Sequence, residues 1–469
     1  MIKHPLFKPE QFLFYFLLFA IPFQTRKILW HQNWNFNEWQ AISLYGTDIL
    51  LVILFGFWIF GRVKLRDEQS VDNRLAKSVI HRFVKIEKCD YFLFVLIAIS
   101  TISIKNSSNH ILSVYNVLKL VEFVAFYFYI KSYAIYKFGL LRSMVVLICG
   151  GLFQAIIAIL QFFNQSSLGL RYLGESVLRP DLIGVASFFN LHGEKIMRAY
   201  GTTPHPNILS VYLFLAIFSF YFVYLYFDIY HKDKVYYPKF NLFILISYPL
   251  ILLSFFFTFA RVTVFLWFLG FITRAVLIMG KKNFRKIFAT GINKMKLTKI
   301  LIISVAVVVL FGIFYWSEAI SRVRISSGEE AVQLRIFYNK ESLKSLNWFG
   351  VGAGNFVNWL MVKDPNLPRN LYQPVHNIYL LVYSETGILG ITAFILFLVF
   401  LVKDFITSTK MDKLYHYSFL IMFISFLFIG LFDHFLWTLQ QGRLMFWLLC
   451  ATLTIFKNSD IIETQQFRK

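Results

Sequence analysis

The chain has 469 residues, of which 58% are hydrophobic and only 15% charged. Soluble domains carry about 25% charged residues, so this composition excludes an ordinary soluble enzyme and fits a polytopic membrane protein. A formal charge of +22 would suggest nucleic acid for a soluble protein, but here the charges lie in loops between apolar runs. They suit anionic membrane lipids and diphosphate head groups, and no nucleic acid partner is expected.

A membrane span needs about 20 apolar residues. On that measure the sequence predicts about twelve transmembrane helices, near 10–24, 41–61, 91–105, 111–130, 143–163, 207–227, 241–258, 262–279, 300–316, 376–402, 415–432 and 442–456. Lys3 and Lys8 precede the first, but no small-residue cleavage site follows it, which predicts a retained helix over a removed signal peptide. The fold class expected is therefore all-α. Cys89, Cys149 and Cys450 lie in or beside apolar runs without a C-x-x-C pair, so neither a disulfide framework nor a thiolate metal site is indicated.

Loop charge sets the orientation, because Lys and Arg are retained in the cytoplasm. The loop after helix 2 carries eight basic residues from Arg62 to Lys88, and the loop after helix 8 carries seven from Lys281 to Lys299. Both fall on one side of a twelve-helix chain, which places both termini in the cytoplasm. The chain then divides into five helices over 1–163, an outer loop over 164–206, four helices over 207–316, a second outer loop over 317–375, and three helices with a cytoplasmic tail over 376–469. The second loop is itself basic, holding Arg322, Arg324, Arg335, Lys340, Lys344, Lys363 and Arg369. Long loops cross largely regardless of charge, so the topology stands. These arginines are either a solvated face or what binding a diphosphate requires. Val332, Ile336, Tyr338, Leu343 and Leu346 recur near helical spacing, which predicts amphipathic helix within that loop.

The stretch from Trp348 to Gly390 joins a glycine-rich segment, with Gly350, Gly352 and Gly354, to a hydrophobic helix that has His376 and Asn377 at its threshold. The glycines permit close approach of backbone to a ligand, or form an ordinary loop. Pro374 holds Gln373 extended, so a helix starts just after it and His376 lies at a membrane surface.

GVGAGNF at 350–356, followed by HNIYLLVYSETGILG at 376–390, resembles the signature of the O-antigen ligase and O-antigen polymerase family, bacterial membrane glycosyltransferases that use polyprenyl-diphosphate-linked glycans. RAYGTTPHPN at 198–207, FTFARVTVFL at 257–266 and RIFYNKESLKSLNWFGVG at 335–352 match the same family in its order. The resemblance covers about two fifths of the chain. It implies a GT-C-like fold in the bacterial inner membrane, inversion at the anomeric carbon, and a catalytic role for the His376–Asn377 position. Arg198, Arg261 and Arg335 match arginines of the family pattern.

Transfer from a polyprenyl diphosphate needs a base for the acceptor hydroxyl and a match for the departing negative charge. A neutral imidazole is available near neutral pH for the first; otherwise a histidine at a helix start is a cap or an interfacial hydrogen bond. Arginine suits the second, since its planar fork holds phosphate oxygens bidentately. Arg261 stands inside SFFFTFARVTVFLWF, where an ionisable residue either marks function or snorkels from a tight turn between helices 7 and 8. His205, between two prolines, is a second base or a piece of turn architecture. Asn207 is expected to cap helix 6. Glu385, nine residues after His376, falls on the opposite face of a continuous helix and is expected to pair inside the bundle, unless Gly387 and Gly390 break the helix. Lys119 and Glu122 are expected to neutralise each other.

No Asp-x-Asp and no P-loop pattern occurs. Arginine replaces a divalent ion as charge clamp, so a metal-independent, cofactor-free reaction is expected. The reading is an O-antigen ligase-like transferase of lipopolysaccharide biosynthesis. Its donor is a polyprenyl (undecaprenyl) diphosphate glycan and its acceptor a glycolipid such as lipid A core, with a polysaccharide polymerase as the neighbouring alternative. A twelve-helix transporter of polyprenyl-linked glycans competes, but the chain has no internal repeat.

Overall fold

The computed structural model describes residues 9–32, 36–67, 86–230, 238–280, 291–324, 330–407 and 413–455. The basic segments 68–85 and 281–290, and Glu329, lie outside them. The chain is mostly helical. Each of the twelve predicted segments holds a helix: α1 (Pro9–Phe19), α2 (Gly46–Asp67), α3 (Lys88–Ser103), α4 (His110–Tyr129), α5 (Leu140–Asn164), α6 (Pro206–Tyr230), α7 (Pro238–Phe257), α8 (Arg261–Gly280), α9 (Gly291–Phe314), and, after the second long segment, α13 (Ile378–Thr407), α14 (Lys413–Ile429) and α15 (Gln440–Ile455). Among the described residues, seven are long and apolar enough to cross a membrane: Lys88–Asn106, His110–Phe138, Leu140–Asn164, Pro206–Leu225, Lys239–Phe257, Lys294–Phe314 and Ile378–Thr407.

Between α9 and α13 lie three shorter helices, α10 (Trp316–Val323), α11 (Glu330–Leu343) and α12 (Phe356–Lys363). Helix is therefore present in the second loop as expected, but the expected apolar face is not: Leu346 lies beyond α11, Ile336 and Leu343 are exposed, and Tyr338 is buried. Two small antiparallel ribbons interrupt the helices. One pairs β1 (Arg26–His31) with β2 (Ala41–Tyr45), and the other pairs β3 (Ser187–Phe189) with β4 (Lys195–Met197). The first corrects the sequence reading, which began helix 2 at residue 41. Residues 41–45 alternate in burial as a strand does, a period that an apolar-window count does not separate from helix.

The packing is dominated by aromatic and aliphatic side chains, with polar groups placed where they hold backbone. Gln161 of α5 accepts from the Gly201 amide at 2.8 Å and donates to the Gly201 carbonyl at 2.8 Å. Gln154, two turns away, accepts from the Thr202 amide at 2.9 Å. Two side-chain amides on α5 thus fix the segment that leads from Arg198 to His205. Lys119 bonds Glu122 at 2.9 Å as expected, and Asp48 of α2 joins it at 2.6 Å.

The long helix α13 is broken. Gly387 has φ 72° and ψ −170°, and the loop from Asn347 to Gly352 is seated against the break. The Ile388 and Leu389 amides donate to the carbonyls of Asn347 (3.1 Å) and Trp348 (3.3 Å), while the Val351 and Gly352 amides donate to the carbonyls of Ser384 (2.8 Å) and Glu385 (3.1 Å). Interrupted backbone inside an apolar bundle needs such partners, because no water is there to take the freed groups. The glycine-rich motif supplies them.

Candidate active site

A cavity of about 730 Å³ lies where the starts of α6, α8 and α13 meet α10, α11 and the α14–α15 turn. Its lining includes Arg198, His205, Asn207, Arg261, Arg322, Arg335, His376, Asp433 and His434. That volume is in the range of small-molecule sites. Arg198, Arg261, Arg335, His205 and His376, drawn from four separate motifs of the sequence, are therefore brought together. Gly352, Gly354, Asn377 and Glu385 are not among the lining residues.

Local contacts hold Arg198, Arg261 and Arg322. Arg198 leaves β4, and its side chain donates from Nε to the Thr258 carbonyl at 2.6 Å and from Nη2 to the Asn207 side-chain oxygen at 2.7 Å. Arg261 opens α8 just after the α7–α8 turn, where Phe259 has φ 46°. A left-handed conformation costs a non-glycine residue about 1–2 kcal/mol. Here Phe259 is buried against Phe162, Phe188 and Phe311, so packing keeps the turn tight. Arg261 Nε then donates to the Arg322 carbonyl at 2.5 Å. Arg322 stacks its guanidinium over Phe188 at 5.3 Å. On α11, Arg335 stands one turn before Tyr338, whose hydroxyl donates to the Leu371 carbonyl at 2.6 Å.

His376 precedes α13, and its ring is held between two others. Tyr338 stacks on it at 5.7 Å, and His434 meets it edge-on at 5.0 Å. The Pro374 carbonyl lies beside the ring, but Nδ1 finds no hydrogen-bond partner among the described residues. The cap at this helix start is Asn377 instead, accepting from the Tyr379 and Leu380 amides at 2.9 and 3.1 Å. The neighbouring expectation for α6 fails. Asn207 does not cap that helix; it accepts from Arg198 and donates to Asp433 at 2.9 Å. Its own amide donates to His205 Nδ1 at 3.1 Å, so His205 works as turn architecture while lining the cavity.

Among the described residues that line the cavity, four guanidinium groups meet two carboxylates, and Glu38 is already in a fork with Arg26, with Nη2 to Oε2 at 2.6 Å. Burial, and the neighbouring charge of Arg322, lower Arg198 to about 9, still cationic at neutral pH. His376 is lowered from its ordinary value by burial, with Arg335 adding to the fall and Asp433 opposing it. Burial takes His205 and His434 down to about 3. Asp433 is pushed up by burial, but its proximity to His434 and His376 and the Asn207 hydrogen bond hold it below the usual carboxylate range. The cavity thus offers neutral imidazoles, one carboxylate and four guanidinium groups, of which Arg322 and Arg261 stand close enough to lower the affinity of Arg198 for its proton. An anion relieves that repulsion.

Gly352 and Gly354 serve the fold. A Cβ on Gly352 would fall 2.5 Å from Ser107 Cβ, and one on Gly354 would fall 2.0 Å from Asn116 Nδ2. Their close approach is to the α3–α4 corner and α4, and not to a ligand. Glu385 is buried above the break in α13, facing the backbone amides of Gly354 and Phe356 and the Trp437 indole, which is the internal pairing expected of it.

Arg322, Asp433 and His434 escaped the sequence reading as site residues. Arg322 was one of seven basic residues in its loop, with nothing to single it out. Asp433–His434 carried a usable signal, an ionisable pair inside the apolar run FLFIGLFDHFLW, which marks function by default. Among the described residues, Glu87, Cys89 and Asp404 are the one group of three whose ligand atoms lie within 4.8 Å of one another. Lys131 reaches Glu87 at 3.5 Å and the adjacent Asp90 at 2.6 Å, which places a cation there already.

No protein-family model matches the chain, and no curated protein matches it in a sequence search.

Proposed function

We propose that this chain is a membrane glycosyltransferase of the O-antigen ligase type, moving a glycan from a polyprenyl diphosphate to an acceptor hydroxyl. The observation that carries the reading is the convergence of Arg198, Arg261, Arg322 and Arg335 with His376 in one cavity. An open apolar groove of about 540 Å³ adds to it. It runs between α13 and α14 from Tyr379, three residues past His376, to Thr407, and suits a long prenyl chain.

In this mechanism the neutral His376 imidazole takes the acceptor proton as the hydroxyl oxygen attacks the anomeric carbon. The bond from that carbon to the phosphate oxygen breaks, its electron pair leaves with the diphosphate, and configuration inverts. The arginines match the charge already on the diphosphate and the further charge that develops. Asp433, in the same cavity, stabilises the imidazolium once it has formed. No divalent ion is required. The proposal extends to twelve spans in a GT-C-like arrangement in a bacterial inner membrane, with cytoplasmic termini and the cavity on the outer face. The acceptor proposed is a glycolipid such as lipid A core.

The test uses detergent-purified protein, a synthetic polyprenyl-diphosphate glycan and a glycolipid acceptor. Product formed without a sealed membrane favours the enzyme over a transporter. His376→Ala is expected to lower single-turnover rate by about 10²–10⁴-fold while donor binding persists. Arg261→Ala is expected to weaken donor binding and rate together, with Lys rescuing only in part. Equal loss of donor binding in both alanine variants would remove His376 from the role of base.

A further inference from the structure

The arginines account for one substrate, but the cavity has lining of a second kind. Gln24, Glu38, Trp39 and Gln373 contribute no cation. Three of them belong to the α1–α2 connection with its β1–β2 hairpin. Trp39 lies on the side of the base, since its ring meets His434 edge-on at 4.9 Å and His434 meets His376 at 5.0 Å. In a displacement with inversion the acceptor enters on the side of the base, away from the leaving diphosphate. We infer that Trp39, with Gln24, Glu38 and Gln373, forms the acceptor subsite and that it takes a saccharide ring.

The chemistry suits a sugar. A pyranose presents a C–H face and an edge of hydroxyls that both donate and accept. Trp39 offers a broad apolar face. The two glutamine amides each carry donors and an acceptor, and Glu38 adds acceptors. Gln373 donates to the Asn370 carbonyl at 2.8 Å, which leaves its oxygen for a hydroxyl. An apolar wall with a few placed polar groups is how a pocket fixes orientation.

Residues 37–40 of the α1–α2 connection are also anchored, as a subsite must be. Besides the Arg26–Glu38 fork, Asn37 accepts from the Trp39 amide at 2.9 Å and donates to the Tyr372 carbonyl at 3.3 Å. Gln40 donates to Asn358 of α12. The hairpin is thereby tied to the segment that ends at His376, so Trp39 and the base keep their spacing.

This inference rests on the glycosyltransferase reading for the acceptor's role, but the binding it predicts can be measured without the reaction. The experiment titrates a free core-type oligosaccharide into purified protein by saturation-transfer NMR. It then measures acceptor KM and donor affinity in the variants. Wild type is expected to bind the oligosaccharide. Trp39→Ala is expected to lose that binding and to raise acceptor KM about tenfold or more, as removal of a central aromatic anchor does. Donor affinity is expected to hold. Gln373→Ala, which leaves the aromatic packing intact, is expected to move acceptor KM in the same direction by less. Loss of donor affinity equal to the loss for acceptor would overturn the inference, as would oligosaccharide binding unchanged in both variants. Transfer to a Ser/Thr peptide but to no saccharide would also overturn it, and would leave the transferase standing. Saccharide binding that depends on Trp39 without any transfer would instead refute the transferase while the subsite stands.

Discussion

Gly387→Ala probes whether the glycine-rich loop is seated in a broken helix. The residue has φ 72° and ψ −170°, a region essentially closed to side-chain-bearing residues, and forcing alanine into it costs about 1–3 kcal/mol. Its Cβ would also fall 2.3 Å from the Trp348 carbonyl oxygen and 2.5 Å from that of Asn347. Those oxygens accept from Leu389 and Ile388, so the loop must retreat and leave two buried amides short of partners, at ~1–3 kcal/mol each. The sum, roughly 3–9 kcal/mol, rivals the roughly 5–15 kcal/mol that holds a typical domain together. Thermal unfolding of the detergent-solubilised variant is expected to fall by about 3–9 °C, or the protein to accumulate poorly. Gly312→Ala is the control. It sits in α9 with nothing within 4 Å of its added Cβ, and is expected to be neutral or stabilising by about 0.5–1 kcal/mol. Equal melting of Gly387→Ala and wild type would refute the seated loop.

Three further outcomes follow from the cavity. Because burial keeps His376 neutral below the ordinary imidazole value of about 6.5, the acid limb of kcat/KM is expected below that pH. Asp433→Asn moves it lower by removing the group that favours the imidazolium, and Arg335→Gln moves it higher; pH–rate profiles with limbs that do not move would deny both groups any influence on the base. His205 and His434, lowered by burial to about 3, are neutral in the fold and protonate more readily unfolded, so their stability contribution is present above about pH 6.5 and is lost progressively as pH falls toward 3. Melting curves at successive pH values should show this, and His434→Gln should flatten it. Transferase activity is expected to survive EDTA, since guanidinium groups match the leaving charge; activity lost to EDTA and restored by magnesium or manganese would refute the arginine clamp.

The sequence alone determined the helices, because apolar runs of about twenty residues are a local property. It also singled out Arg261, since a charge inside an apolar run stands out without knowledge of contacts, whereas Arg198, Arg335 and His376 were marked by motifs that resemble a known family. The tertiary structure decided what these residues touch. The glycines of GVGAG read equally well as ligand loop or structural turn, and only the packing shows that Gly350 approaches the Glu385 backbone at the broken helix while Gly352 and Gly354 approach Ser107 and Asn116. Asn207 looked like a cap from its neighbours, yet its side chain joins Arg198 to Asp433, and Asp433 comes from a segment that no local pattern joins to it. Arg322 and Trp39 were invisible for the same reason. A residue's side chain is local, but the cavity it lines is made by the packing of helices far apart in the chain.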